Sequence, residues 1–249
     1  MTGVLQIFRK SLPPKGLSAR GEFIPRDEVL VQIEENGQVL GFCGHVDLGT
    51  GIATSLAQIV AEELDADPKH VRMVLGHTDR TPDQGATIAS ETIQVSSRPL
   101  RRAAAQARKL LLKRAAQLTN SPVESLSFRD GKLIGSQSQT ADWGMGDIVR
   151  GVQIREELDD TTPVKSPSEY RLVGRSHPRV DIPDKVTGRM VYVHDVRVDG
   201  MLHGRVIRPP YAGYDHGPFV GRSLLKVDRR GNLTEGLYIG LDYEKVYFV

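Results

Sequence analysis

Apolar and polar positions follow their densest pattern between residues 39 and 79 of this chain. Val39–Val46 is a run of apolar and small residues, the composition of a strand covered on both faces. Gly49-Thr50-Gly51 breaks that strand with a turn where a ligand can approach the backbone. Ile52, Leu56, Ile59, Val60 and Leu64 then fall on one helical stripe and predict a helix over 52–64. Asp65-Ala66-Asp67-Pro68 stops it, and Val71–Leu75 reads as a returning strand. Strand, helix and strand make a βαβ unit whose right-handed crossover leaves the two strands parallel. The glycine turn and the loop His77–Ser90 are therefore expected at the same edge of the sheet, where open α/β sheets bind ligands.

Outside this unit the pattern is local. Residues 1–27, with Pro13, Pro14 and Pro25, read as an extended arm. Glu28–Glu34 and Gln38–His45 flank Asn36-Gly37, a hairpin signal because both turn residues tolerate positive φ. Val95–Leu118 is the longest helical pattern, with a stripe of Leu100, Ala103, Ala104, Ala107, Leu110, Leu111, Ala115 and Leu118. Its other face carries Arg102, Lys109 and Lys113, with Arg98, Arg101, Arg108 and Arg114 nearby and no acid in the segment. Ser121–Glu124 predicts a short helical turn, and Leu126–Phe128 with Lys132–Ile134 a second hairpin around Asp130-Gly131. Asp142–Gly151 predicts a short helix.

Periodicity is lost over 156–169, which reads as a linker after a domain at 28–155. Met190–Val193, Val196–Val198 and Leu202–Ile207 then read as strands of a partial domain at 170–227, followed by an atypical tail at 228–249. The fold class implied is mixed α/β and α+β.

Composition narrows the function classes only a little. At 249 residues the chain can bury a sizeable core, and a formal net charge of +2 gives no argument for nucleic acid. Cys43 is the single cysteine, so no intramolecular disulfide can form. The N-terminal sequence has no apolar run of signal-peptide length and no stretch has the length of a membrane span, which makes a cytoplasmic location the expectation.

Candidate chemistry collects on the two loops. Gly49-Thr50-Gly51 lacks the third glycine and the acid of a dinucleotide fingerprint, and it lacks the lysine of a phosphate-binding loop. What remains is a helix N-terminus whose N–H groups can face an anion, or an ordinary strand-to-helix turn. Thr54 and Gln58 stand one helical turn apart, off the apolar stripe, where they reach a ligand or face water. Asp79, Thr81, Gln84, Gly85, Thr87 and Ser90 fill the second loop with hydroxyls, an amide and a carboxylate. The seven histidines show no metal-ligand spacing. No catalytic triad or carboxylate pair is legible, and no residue is assigned as catalytic or metal-binding.

The segments His45–Thr54 with Leu56–Ile59, and Gly76–Pro82 with Gln84–Ser90, resemble the two molybdopterin-contacting loops of molybdenum hydroxylase large subunits. Tyr170–Gly174, Asp181–Gly188 and Gly200–Pro210 resemble the opening of that family's α/β hammerhead domain. The glycine-loop region precedes the hammerhead, as in the isoquinoline oxidoreductase and nicotinate dehydrogenase branch, and Thr50 stands where many members carry glutamine. The resemblance implies a molybdenum–molybdopterin cofactor in dinucleotide form, held by Gly49, Thr50, Gly51, Thr54, Gln58, Asp79, Gly85, Thr87 and Ser90. It further implies hydroxylation of an N-heteroaromatic or aldehyde substrate with oxygen from water. The implied partners are a small iron–sulfur subunit and a C-terminal remainder of the large subunit, which in the family carries the catalytic glutamate. The chain thus reads as a truncated large subunit. The competing reading is a non-catalytic module that binds a nucleotide or a partner through the basic 98–118 helix.

Overall fold

A computed structural model describes residues 2–11, 25–135 and 143–202. Residues 1–187 form one compact unit, and residues from 188 onward group separately. The first unit is built on a five-stranded mixed sheet. Its strands are β1 (Val4–Lys10), β2 (Asp27–Glu34), β3 (Val39–Cys43), β4 (Val71–Leu75) and β7 (Gln153–Glu157), in the order β4-β3-β2-β1-β7. β2 and β3 pair antiparallel around Asn36-Gly37, while β3 and β4 run parallel in the register Val39↔Val71 to Cys43↔Leu75. The crossover between them is α1 (Ile52–Leu64), at the bounds its apolar stripe implied. β3 is buried along its whole length, as expected of a strand with a neighbour on each side and both faces covered.

The second long helix, α2 (Ser97–Thr119), packs beside α1 on the same sheet. Leu100, Ala103, Ala104, Ala107, Leu111 and Ala115 are buried and join Leu56, Val60 and Leu64 of α1 in the core. Alanine at these contacts lets the two helix backbones approach closely and favours the helix itself. Leu118, placed on the stripe from sequence, is exposed at the helix end. The helix is preceded by a π-helical turn, Thr92–Ser96, and Asn120 ends it in the left-handed conformation at φ 49°. β5 (Ser127–Arg129) and β6 (Lys132–Ile134) form the expected second hairpin. α3 (Met145–Val149) follows, its first turn closed by the Asp147 carboxylate accepting from the Gly144 N–H at 2.9 Å.

Three expectations are corrected. The N-terminal stretch is no arm: Val4–Lys10 is an inner strand, antiparallel to β2 and parallel to β7, with Leu5 and Ile7 fully buried. Its period-two alternation is short, and the prolines that suggested an arm lie beyond the strand. The segment expected as a linker begins inside β7 and then lies against the helices, with Thr162 and Lys165 buried. Met190–Val193 and Val196–Val198 are not strands. They carry only a 3-10 turn at Val193–Asp195, and Val193 is 87% exposed. An apolar run forms a strand only beside a partner edge, and none of the described residues supplies one. Residues beyond Leu202, including most of the third expected strand and the tail, lie outside the described residues.

A cleft of about 750 Å³ opens at the N-terminal ends of β3 and β4, between the turns at 35–38, 130–132 and 144–147. It is at the far end of the sheet from the glycine turn. Its charged lining, with Lys69, Lys132 and Arg150 against Glu35, Asp130 and Asp147, carries both signs in equal number.

Candidate functional site

The parallel pairing of β3 and β4 fixes where the two loops start. Gly76 donates its N–H to the Cys43 carbonyl at 3.0 Å, so both chains leave the sheet side by side. From there the loops are stitched together. Gly44 donates its N–H to Gln84 Oε1 at 2.8 Å, and Val46 donates to Thr87 Oγ1 at 3.0 Å. His45, fully buried between them, has Nε2 3.2 Å from the Gln84 carbonyl and Nδ1 2.7 Å from the Thr92 hydroxyl. A carbonyl only accepts, so Nε2 carries a proton toward Gln84. Sequence spacing singles out none of these contacts. Their only signal is a histidine at the end of an otherwise apolar strand run.

The helix N-terminus has three of its donors taken up by the chain itself. The Asp47 carboxylate accepts from the N–H groups of Gly49 at 2.9 Å, Gly51 at 3.2 Å and Ala53 at 3.4 Å. The chain supplies its own anion to the positive end of α1, which leaves the Thr50 and Ile52 N–H groups without an acceptor among the described residues. Sequence reasoning misses Asp47 because, two residues before Gly49, it reads as part of the strand exit.

Thr54 and Gln58 leave the rim altogether. Thr54 is buried and accepts from the Val180 N–H at 3.0 Å, and the Gln58 amide donates to the carbonyls of Leu172 and Arg175 at 3.0 and 3.1 Å. Both hold down a strap, residues 158–181, that runs along the polar side of α1. Farther along the same face Glu62 accepts from the N–H groups of Arg171, Leu172 and Val173, the shortest at 2.6 Å. Glu63, fully buried, accepts from Arg101 at 2.6 Å and from the Lys165 N–H. Lys165 Nζ reaches Asp65 Oδ1 at 2.6 Å, and Arg108 and Arg171 close on the same carboxylate.

Burial opposes charge on Glu62, yet its bonds from Val173, Leu172 and Arg171 outweigh it and hold the carboxyl below its ordinary range. Asp65 behaves likewise, burial being outweighed by Lys165 and Arg108. Both folded-state values are depressed, so the stability they contribute is fully present above the unfolded values, about 4 for these side chains, and is lost as pH falls through the folded ones. Between pH 5 and 8 the strap is expected to stay equally tight. Below about pH 4 it should loosen, read as growing protease sensitivity at 158–181. A strap whose sensitivity is the same at pH 3 and pH 7 would contradict this assignment.

What does face outward at the rim is a smaller set. Thr50 and Ser90 are exposed, and Gly49 and Gly85 sit at φ 95° and 79° with nothing within 4 Å of the place a side-chain carbon would take. The N–H groups of Ala86 through Ser90 have no acceptor among the described residues. Ala89 and Ser90 are both left-handed, at φ 50° and 58°. Two successive non-glycine residues held there store strain, a feature concentrated at ligand sites. Asp79 accepts from His77 in a close contact, which holds its carboxyl below the usual range, and Thr81 folds back on the His77 carbonyl at 2.7 Å. Both therefore shape their own loop. Val46, Leu48 and Ile88 stand exposed on the same two loops.

Four basic side chains of this helix are engaged within the chain. Arg101 and Arg108 pair with Glu63 and Asp65, Arg102 with Asp160, and Arg114 donates to the Ile148 carbonyl at 2.7 Å. With four of its seven basic side chains so engaged, the reading of this helix as a nucleotide- or partner-binding face keeps only Arg98, Lys109 and Lys113. Among the described residues no group of three or more His, Cys, Asp or Glu is arranged to hold a metal ion, and no helix is long and apolar enough to cross a membrane.

Comparison with known proteins bears on this arrangement. Residues 5–224 match the molybdopterin cofactor-binding domain family. A nicotinate dehydrogenase chain of Pseudomonas putida, the B subunit of that enzyme, is 53% identical over 91% of this chain. The beta subunit of isoquinoline 1-oxidoreductase of Brevundimonas diminuta is 33% identical over 74%. The chain spans 19% and 29% of the lengths of those two relatives. Among solved structures, quinoline 2-oxidoreductase from Pseudomonas putida 86 is similar at a TM-score of 0.41 and 23% identity, over 59% of this chain and 19% of its own.

Proposed function

This chain belongs to the molybdopterin cofactor-binding domain family, and from that premise we propose that its two stitched loops form one wall of a molybdenum–molybdopterin site. The observation that carries the proposal is the unpaired donor set on the two joined loops: successive N–H groups from Ala86 to Ser90 without an acceptor among the described residues, together with the exposed Thr50 and Ser90. Such donors suit a pterin and its phosphate, both rich in acceptors, and backbone N–H groups can come close only where glycine leaves space. Gly49 and Gly85 leave that space. The donors fit the group as one wall rather than as an enclosure, since among the described residues no unpaired lysine or arginine stands beside them on these loops apart from Arg80.

On this reading Gly49, Thr50, Gly85 and Ser90 contact the cofactor directly. Thr87 and Gly51 shape the wall, Thr54 and Gln58 act through the strap, and Asp79 sets the course of the second loop. When bound, the molybdenum centre supplies the redox and oxygen-transfer chemistry. The chain's own residues bind and orient, and among the described residues none is assigned a proton-transfer role. The whole protein is proposed to be a large subunit that hydroxylates an N-heteroaromatic or aldehyde substrate with water, working with an iron–sulfur subunit. The exposed Val46, Leu48 and Ile88 around the rim are then the surface the rest of the large subunit covers.

The test uses Gly49→Val and Gly85→Val, produced together with the remainder of the large subunit. Both positions are exposed turns with space for a side chain, so the variants are expected to fold at a backbone cost of about 1–2 kcal/mol each. Molybdenum measured by mass spectrometry should fall at least tenfold. Full loading in both variants would remove these loops from the cofactor site.

A further inference from the structure

Arg179 lies 130 residues from the glycine turn in sequence and touches it in the fold. Its Nη1 donates to the Gly49 carbonyl at 3.2 Å, and a side-chain carbon on Gly51 would come within 2.9 Å of its Nε. The guanidinium is itself aimed. Asp181 accepts from Nε at 3.0 Å and from Nη2 at 2.6 Å, a two-pronged pairing that fixes the plane of the group. Lys185, one turn on in the short helix α4 (Ile182–Val186), donates to the same carboxylate at 2.6 Å. Val180, the next residue in the chain, is anchored to Thr54 in α1. The glycine turn is thus gripped from two sides: the Asp47 carboxylate collects its N–H groups, and the Arg179 guanidinium takes its carbonyl.

We infer that Arg179 is a positioning residue that sets the conformation of the Gly49–Gly51 turn and thereby its ability to hold the cofactor. It rests on the reading of that turn as part of the cofactor wall. Residue 51 is glycine because its φ of 78° is left-handed, and the guanidinium packs into the space a side chain would fill. It also gives the strap a task. Without the strap, the turn retains only Asp47 and two left-handed glycines, at φ 95° and 78°, which are free to take other conformations. Lysine at 179 has one ammonium and cannot pair doubly with Asp181 while reaching the Gly49 carbonyl. Asp181→Asn keeps the size and removes the charge that orients the guanidinium.

The experiment compares Arg179→Ala, Arg179→Lys and Asp181→Asn with the parent chain. Amide hydrogen exchange followed by NMR, without cofactor, reads the turn directly. Exchange at Gly49, Gly51 and Ala53 should accelerate about tenfold in Arg179→Ala, with Asp181→Asn and Arg179→Lys intermediate. Amides of β3 and β4 should not change. Equal acceleration across the sheet, or no acceleration at the turn, overturns the inference. In the complete large subunit, loss of molybdenum on dilution is expected to quicken in Arg179→Ala. If Gly49→Val loses molybdenum and Arg179→Ala does not, the positioning role fails while the wall stands. If neither variant loses it, the wall reading fails.

Discussion

Glu62→Ala is expected to lower the unfolding free energy by roughly 3–5 kcal/mol, the range for breaking a buried charge away from its partners. The carboxylate is 2% exposed and is the shared acceptor of three successive N–H groups in the strap, with Lys165 Nζ 3.7 Å away. Alanine would leave those donors without an acceptor and would leave the buried ammonium with Asp65 as its remaining charged partner. Glu62→Gln keeps the shape but turns an NH2 toward groups that also donate, so its loss should be somewhat smaller. Urea unfolding measures both, and protease susceptibility of residues 158–181 locates the change. A loss below about 1 kcal/mol for Glu62→Ala would mean that the strap is held elsewhere, because that is the size expected of an ordinary hydrogen bond alone.

Gly44→Ala should separate the two loops. The new carbon would stand 2.1 Å from the Pro82 carbonyl oxygen and 3.3 Å from the Gln84 nitrogen, and both are backbone atoms with no rotamer to escape through. Overpacking of this kind costs about 1–3 kcal/mol, occasionally more. Beyond the cost in stability, the Gly44–Gln84, His45–Gln84 and Val46–Thr87 bonds that join the loops would stretch or break. In the complete large subunit molybdenum loading should fall with them. Gly131→Ala is the control: it meets nothing within 4 Å, and only its φ of 81° opposes a side chain, at about 1–2 kcal/mol. If both variants retain stability and molybdenum alike, the junction has no role in the site.

These expectations depend on contacts of very different legibility. The strand–helix–strand unit at 39–75, the hairpin at Asn36-Gly37 and the alanine stripe of α2 are written locally, in periods of 2 and 3.6 and in glycine positions. The resemblance of two short loop segments identifies the cofactor class. The meeting of those loops follows from chain topology alone, because a right-handed parallel crossover puts both strand ends on one edge. β1 escapes a sequence reading because its alternation is only a few residues long and its partners lie 17 or more residues away in the sequence. The runs at 190–198 mislead in the opposite direction, since apolar composition permits a strand and only a neighbouring edge makes it real.

By itself, then, the sequence determined the elements whose stabilising contacts lie within a turn or a single crossover, and it determined the family through its glycine loops. Tertiary structure alone decided which polar side chains of α1 face a ligand and which face the chain. Thr54, Gln58, Glu62 and Glu63 share a polar helix face that looks solvated when α1 is considered alone. The strap that covers it comes from about 100 residues or more downstream, a segment without periodicity whose position is fixed by buried carboxylates and backbone N–H groups. Hydrogen bonds of that kind need only a donor at the right point in space, and spacing along the chain carries no trace of them.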